Sequence, residues 1–208
     1  MSEPLDVLVI ESHPGAAAPA VAALEAAGHR TMGCYADGDR GFPCVGITEP
    51  ELCPIDRGAD VALLIRRRIA PRPTPLEGGV PCAIRAQIPI VESGPDILDP
   101  FEPWLAQRTT GDAVVAACEQ AHREVFDPLR DDIATRLGPV SEAGGFDPHD
   151  LECDVNTDGD GLRVGVSGPE LSRARKQAIG VRVLDAVRDT GRRYGKVDVR
   201  YETADPAE

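Results

Sequence analysis

Lysine is nearly absent from this chain: Lys176 and Lys196 are the only two, so 20 of the 22 basic residues are arginine. That bias points to a GC-rich genome rather than to a mechanism. Positive charge as a whole is in deficit, with a net charge of −13 over 208 residues. Such a deficit argues against general binding to nucleic acid or anionic membrane, because both demand positive potential. Long apolar runs are missing too. None approaches the roughly 18 residues of a membrane span. The start, MSEPLDVLVIESHPG, joins an acidic first segment to an apolar stretch too short for a secretory signal. The expectation is a cytoplasmic protein whose thiols stay reduced, so its six cysteines are not read as a disulfide framework.

Motifs of catalysis are also lacking. There is no glycine-rich phosphate loop of the P-loop or dinucleotide type, no serine–histidine–acid nucleophile motif and no paired carboxylates in a defined context. The reading therefore leans away from an enzyme.

What is present is a regular alternation. DVLVIE (6–11), RTMGC (30–34), ADVALLI (59–65) and IPIVES (88–93) are short apolar runs bounded by turns, as buried parallel strands are. Between them, HPGAAAPAVAALEAAGH carries Ala17, Val21, Leu24 and Ala27 on one helical face with Gly28 as its stop, and PLEGGVPCAIRAQ (75–87) predicts a shorter helix. Strands alternating with helices predict an α/β fold with a doubly wound parallel sheet over residues 1–95.

VLVIESHPGAAAPAVAALEAAGHRT resembles the first strand, first helix and second-strand approach of a receiver domain of the response-regulator type, within the flavodoxin-like architecture. The resemblance spans residues 5–94 and implies a fold, not a chemistry. A receiver carries an acidic pair after its first strand, a phospho-accepting aspartate after its third and a lysine after its last. Here those places read Glu11-Ser12-His13, Ile65-Arg66 and IPIVESG. What the resemblance implies is a pseudo-receiver without phosphoryl acceptance.

In open α/β sheets, ligands sit beyond the carboxyl ends of the strands. Those ends carry His13, Cys34, Arg66 to Arg68, and Glu92. His13, Arg66 and Glu92 are the candidates for holding a small anion, although a histidine before Pro14-Gly15 also serves as a locally bonded turn residue. The cysteine spacing is Cys34-x9-Cys44-x8-Cys53-x28-Cys82, with no close CxxC knuckle of the zinc-ribbon kind. Three of these four have a proline neighbour: Pro43-Cys44, Cys53-Pro54 and Pro81-Cys82. Proline stiffens a loop and lowers the entropy lost when thiolates close on a metal, and Cys-Pro occurs in some iron–sulfur ligand runs. Cys34, Cys44, Cys53 and Cys82 are thus candidate ligands for an iron–sulfur cluster or zinc. Gap-filling by small apolar side chains and thiol redox chemistry stand beside that reading. Cys118 and Cys153 fall on a helix face and in a strand, where the core is expected.

Residues 96–111 read as a connector that packs through Phe101 and Trp104, and residues 112–208 as a smaller α+β domain of order α-β-β-α-β. Its first helix is expected to restart at Asp127-Pro128. That order is topologically similar to the small domains of iron–sulfur assembly proteins, but SGPELSR stands where their cysteine motif would be. Asp154, Asn156, Asp158 and Gly159 match the first half of a calcium loop. The match ends at Gly165, where a bidentate glutamate belongs, so a tight Asp-Gly turn is preferred. Residues 170–196 hold eight basic and three acidic residues. Arg175, Arg182 and Arg193 align along one helix face, an expected dock for a protein partner.

The leading expectation is a non-enzymatic cytoplasmic binding or regulatory protein whose four-cysteine site modulates a partner. The alternatives are an enzyme or small-anion binder at the same sheet edge, and a plain interaction scaffold.

Overall fold

The computed structural model describes residues 4–35, 41–95, 99–158, 161–192 and 194–204. The chain divides into two compact units, Met1–Glu124 with Thr157–Asp160, and Val125–Asn156 with Gly161–Glu208.

In the first unit the elements run β1 (Asp6–Glu11), α1 (Ala18–Ala26), β2 (Arg30–Gly33), α2 (Val45–Thr48), β3 (Val61–Ile65), α3 (Val80–Ala86), β4 (Ile90–Ser93) and β5 (Leu105–Thr109), then the first turns of α4 (Val114–Gly144). The strands form one sheet of order β2-β1-β3-β4-β5, and every neighbouring pair is parallel. Central β3 shows why: all five of its residues are buried. Val61, Leu63 and Ile65 pack with α1 and with Val114, Ala117, Cys118 and Ala121 of α4. Ala62 and Leu64 face the opposite layer with Val80, Ala83 and Ala86 of α3. A strand covered on both faces needs apolar residues at every position, which is what VALLI supplies.

The expected flavodoxin-like α/β architecture is compatible with this sheet. β5 lies in the segment read as a connector. Its sequence, LAQRT, is half-buried and largely polar, as an edge strand allows, and so gives little apolar signal.

In the second unit, the rest of α4 is followed by β6 (Glu152–Asp158), β7 (Gly161–Gly168), α5 (Arg173–Asp189) and β8 (Val197–Thr203), with strand order β6-β7-β8. β7 and β8 are parallel, with α5 between them in the chain. The helix expected to restart at Pro128 instead runs through both Pro128 and Pro139. An interior proline costs about 3 kcal/mol. The buried stripe Phe126, Leu129, Ile133, Leu137 and Val140 offsets it, since each such side chain contributes about 1.5–3 kcal/mol. Among the described residues, no helix is long and apolar enough to cross a membrane.

Candidate functional site

The strand order reverses between β1 and β3, so their carboxyl ends frame the crevice where this architecture offers a site. At the end of β1 the Glu11 carboxylate accepts the Gly15 N–H at 3.0 Å and the Ala17 N–H at 2.9 Å, bracing the turn into α1. The Ser12 N–H donates to the Ile65 carbonyl at 2.9 Å and ties β1 to the end of β3. His13 bonds its neighbour, with Ser12 Oγ and His13 Nδ1 2.8 Å apart. It occupies the locally bonded turn position.

Arg66 and Glu92, expected near one another, are brought together inside a buried charge network. The Arg66 side chain is only 2% exposed. Its Nε donates to Glu77 Oε1 at 2.7 Å, its Nη1 to Asp99 Oδ1 at 3.2 Å and its Nη2 to the Ala70 carbonyl at 2.7 Å. Arg108 of β5 donates to Asp99 Oδ2 at 2.8 Å. Glu77 also closes a capping box, its other oxygen accepting the Thr74 N–H at 2.5 Å. Glu92 is the odd member: it is 1% exposed, and Arg108 Nη1 stands 3.9 Å from its carboxyl. Burial first, then the neighbouring Asp99 carboxylate, push the Glu92 carboxyl up to about 8 against the weaker pull of Arg108 and Arg66. That shift favours the protonated, uncharged form of Glu92 within the network. With two carboxylates on Arg66 already, the attraction of this network for a further anion is largely cancelled.

Cys34, Cys44, Cys53 and Cys82 are free and half-buried. Cys34 follows β2, and its carbonyl accepts the Val45 N–H at 2.7 Å, which folds the Cys44 end of the loop back against it. Cys34, Cys53 and Cys82 pack on the core cluster that α3 covers. Space around the thiols is tight. A Cβ added at Gly79 would stand 2.8 Å from Cys34 Sγ, and one at Gly46 would stand 3.2 Å from Cys53 Sγ. Burial, followed by the charges of Cys82, Cys44 and Cys53, pushes the Cys34 thiol up to about 12. Tyr35 is raised by burial and then by Cys34, Cys44 and Cys82. Cys82, far from Cys34 in the chain, is the first of the three neighbouring thiols that raise Cys34. Among the described residues, no group of three or more His, Cys, Asp or Glu side chains is placed to hold a metal ion.

Two cavities flank the turn after β1. One, of about 320 Å³, is bounded by β1, β2 and α1, with Glu11, Cys34, Tyr35 and Leu76 among its walls. The other, of about 250 Å³, is lined by Arg67, Ser93 and Thr110 among others. The Arg67 guanidinium donates to the Ala16 carbonyl at 2.9 Å.

Cys118 is buried and Cys153 half-buried, each in a core cluster, and burial raises their thiols to about 12 and about 11. Of the basic face, Arg175 donates to the Ala143 carbonyl at 2.8 Å near the end of α4, Arg182 is half-buried, and Arg193 lies outside the described residues. In the calcium-like stretch, Asn156 Nδ2 donates to Asp154 Oδ2 at 2.5 Å, while Gly159 and the Asp158 side chain lie outside the described residues.

Sequence reasoning missed Glu77, Asp99 and Arg108. The available signal was energetic rather than a motif: an arginine and a glutamate at the ends of buried strands must find partners. Compared with known proteins, the chain matches no family model and no curated protein is significantly similar to it, so its relationship rests on architecture, a five-stranded parallel α/β sheet compatible with the flavodoxin-like fold.

Proposed function

We propose that this is a non-enzymatic cytoplasmic binding or regulatory protein, a pseudo-receiver in which Cys34, Cys44, Cys53 and Cys82 take up an iron–sulfur cluster or zinc and so alter the surface offered to a protein partner. What supports this reading is that Cys34, Cys53 and Cys82, from one long loop and one short helix, pack against the same core cluster as free thiols, with Cys44 at the end of the loop that the Cys34 carbonyl holds. Thiols in a half-buried site resist ionising beside one another, and a soft cation that takes the place of their protons, released to solvent, offsets the repulsion among the thiolates formed. Loading requires the thiols to close further around the group, which would fix residues 41–53 against α3. Change of order in that loop is the route by which occupancy reaches a partner.

The test is anaerobic purification followed by assay of iron, sulfide and zinc. Zinc or one cluster is expected on the order of one equivalent per chain, as a structural site holds, and metal content is expected to fall several-fold in Cys44→Ser/Cys53→Ser. Trace metal, equal in the wild type and the double variant, overturns the proposal.

A further inference from the structure

We infer that the cavity between β1, β2 and α1 binds a small primary amine carrying an apolar body, with its ammonium group at Glu11. This goes beyond the metal reading and shares only Cys34 with it.

The cavity measures about 320 Å³, near the lower end of the roughly 300–1,000 Å³ of small-molecule sites. Val9, Ile10, Val21, Met32 and Leu76 give it apolar walls. It opens at the carboxyl edge of the parallel sheet, where open α/β folds take ligands. Its charge comes from one side chain. Among its described lining residues there is no arginine, lysine or histidine, and the ionisable side chains are Glu11, Cys34 and Tyr35. A thiol and a phenol are uncharged in their ordinary forms at neutral pH and add no charge to the wall. Glu11 is therefore the sole lining charge among the described residues, and it is negative.

That carboxylate is also pre-positioned. Its two oxygens each hold a backbone N–H, of Gly15 and Ala17, so ordering it for a ligand requires little further loss of freedom. Each oxygen retains a second acceptor direction. An ammonium group supplies three donors and the complementary charge, giving a charge-assisted hydrogen bond in a partly desolvated mouth. The Tyr35 ring is anchored by its hydroxyl, which donates to the Pro75 carbonyl at 3.2 Å, so the wall beside Cys34 is fixed as well.

Three probes of one skeleton test this by calorimetric titration: 2-phenylethylamine, 2-phenylethanol and 3-phenylpropionate. The amine is expected to bind at least tenfold more tightly than the alcohol, and the acid not to bind. Glu11→Gln should weaken the amine at least tenfold and leave the alcohol unchanged. Ala18→Trp, at an exposed wall position, fills the cavity without touching the Glu11 bonds and should abolish binding of both while circular dichroism stays native. Binding of the alcohol or acid as tightly as the amine overturns the inference. So does amine affinity unaltered in either variant, or no binding of any probe at millimolar concentration. Metal content of the same preparations reports on the thiol site separately, so failure of one reading leaves the other measurable.

Discussion

Arg66 Nε donates to Glu77 Oε1 at 2.7 Å with the two side chains 2% and 0% exposed. This pair fastens the end of β3 to the turn before α3, and Glu77 caps that turn through the Thr74 N–H. Removing Glu77 leaves the buried Arg66 Nε without its acceptor, with Asp99 the remaining carboxylate on the guanidinium. Glu77→Ala should therefore destabilise the fold by about 3–5 kcal/mol in urea unfolding. A loss under about 1 kcal/mol, the range of exposed pairs, would show that the pair is not buried in solution.

Glu92 makes stability depend on pH in a stated direction. Its folded value of about 8 lies above the ordinary 4.5, so the folded chain keeps a proton that the unfolded chain releases. Stability from that proton is complete below pH 4.5 and fades as pH climbs through about 8. Across that window the loss should be on the order of a few kcal/mol. Glu92→Gln, which keeps the neutral form, should remove that part of the slope. An unchanged slope contradicts the assignment.

The close packing around the thiols gives a paired test. At Gly79 a new Cβ meets Cys34 Sγ at 2.8 Å and Ile10 Cδ1 at 3.2 Å, whereas at Gly180 of α5 it meets nothing within 4 Å. Gly79→Ala should destabilise by about 1–3 kcal/mol. Gly180→Ala should instead stabilise by about 0.5–1 kcal/mol, through the lower helix cost of alanine. Denaturation midpoints of the two variants settle the sign of each.

Cys34 should alkylate slowly. A thiol near 12 carries little thiolate at mildly alkaline pH, and thiolate is the nucleophile. Iodoacetamide labelling mapped by mass spectrometry should find Cys34 modified roughly tenfold or more slowly than free glutathione. Labelling at the glutathione rate would place Cys34 outside a shared, desolvated environment.

Much of this fold was legible. DVLVIE gives β1 at its observed bounds, and ADVALLI and IPIVES contain β3 and β4, because a strand buried on both faces must be apolar throughout. β5 escapes notice because an edge strand needs no such pattern. A local rule about proline splits α4, since it takes no account of the buried stripe from Phe126 to Val140. The site was legible only in parts. That Cys34, Cys53 and Cys82 pack on one core cluster was within reach of reasoning about strand ends and loop departure. The partners of Arg66 and Glu92 were not, since Glu77 and Asp99 come from irregular segments whose positions depend on tertiary packing.

If Cys34, Cys44, Cys53 and Cys82 act as one site, a single metal ion should report on all of them at once. An anaerobic cobalt(II) titration of the reduced protein, read by thiolate-to-metal charge-transfer absorption in the near ultraviolet, tests this most directly. Saturation is expected at one equivalent, with the band weakened by each single serine substitution at these four positions and unchanged by Cys153→Ser. Absence of the charge-transfer band, or a band indifferent to all four substitutions, would contradict the proposed site.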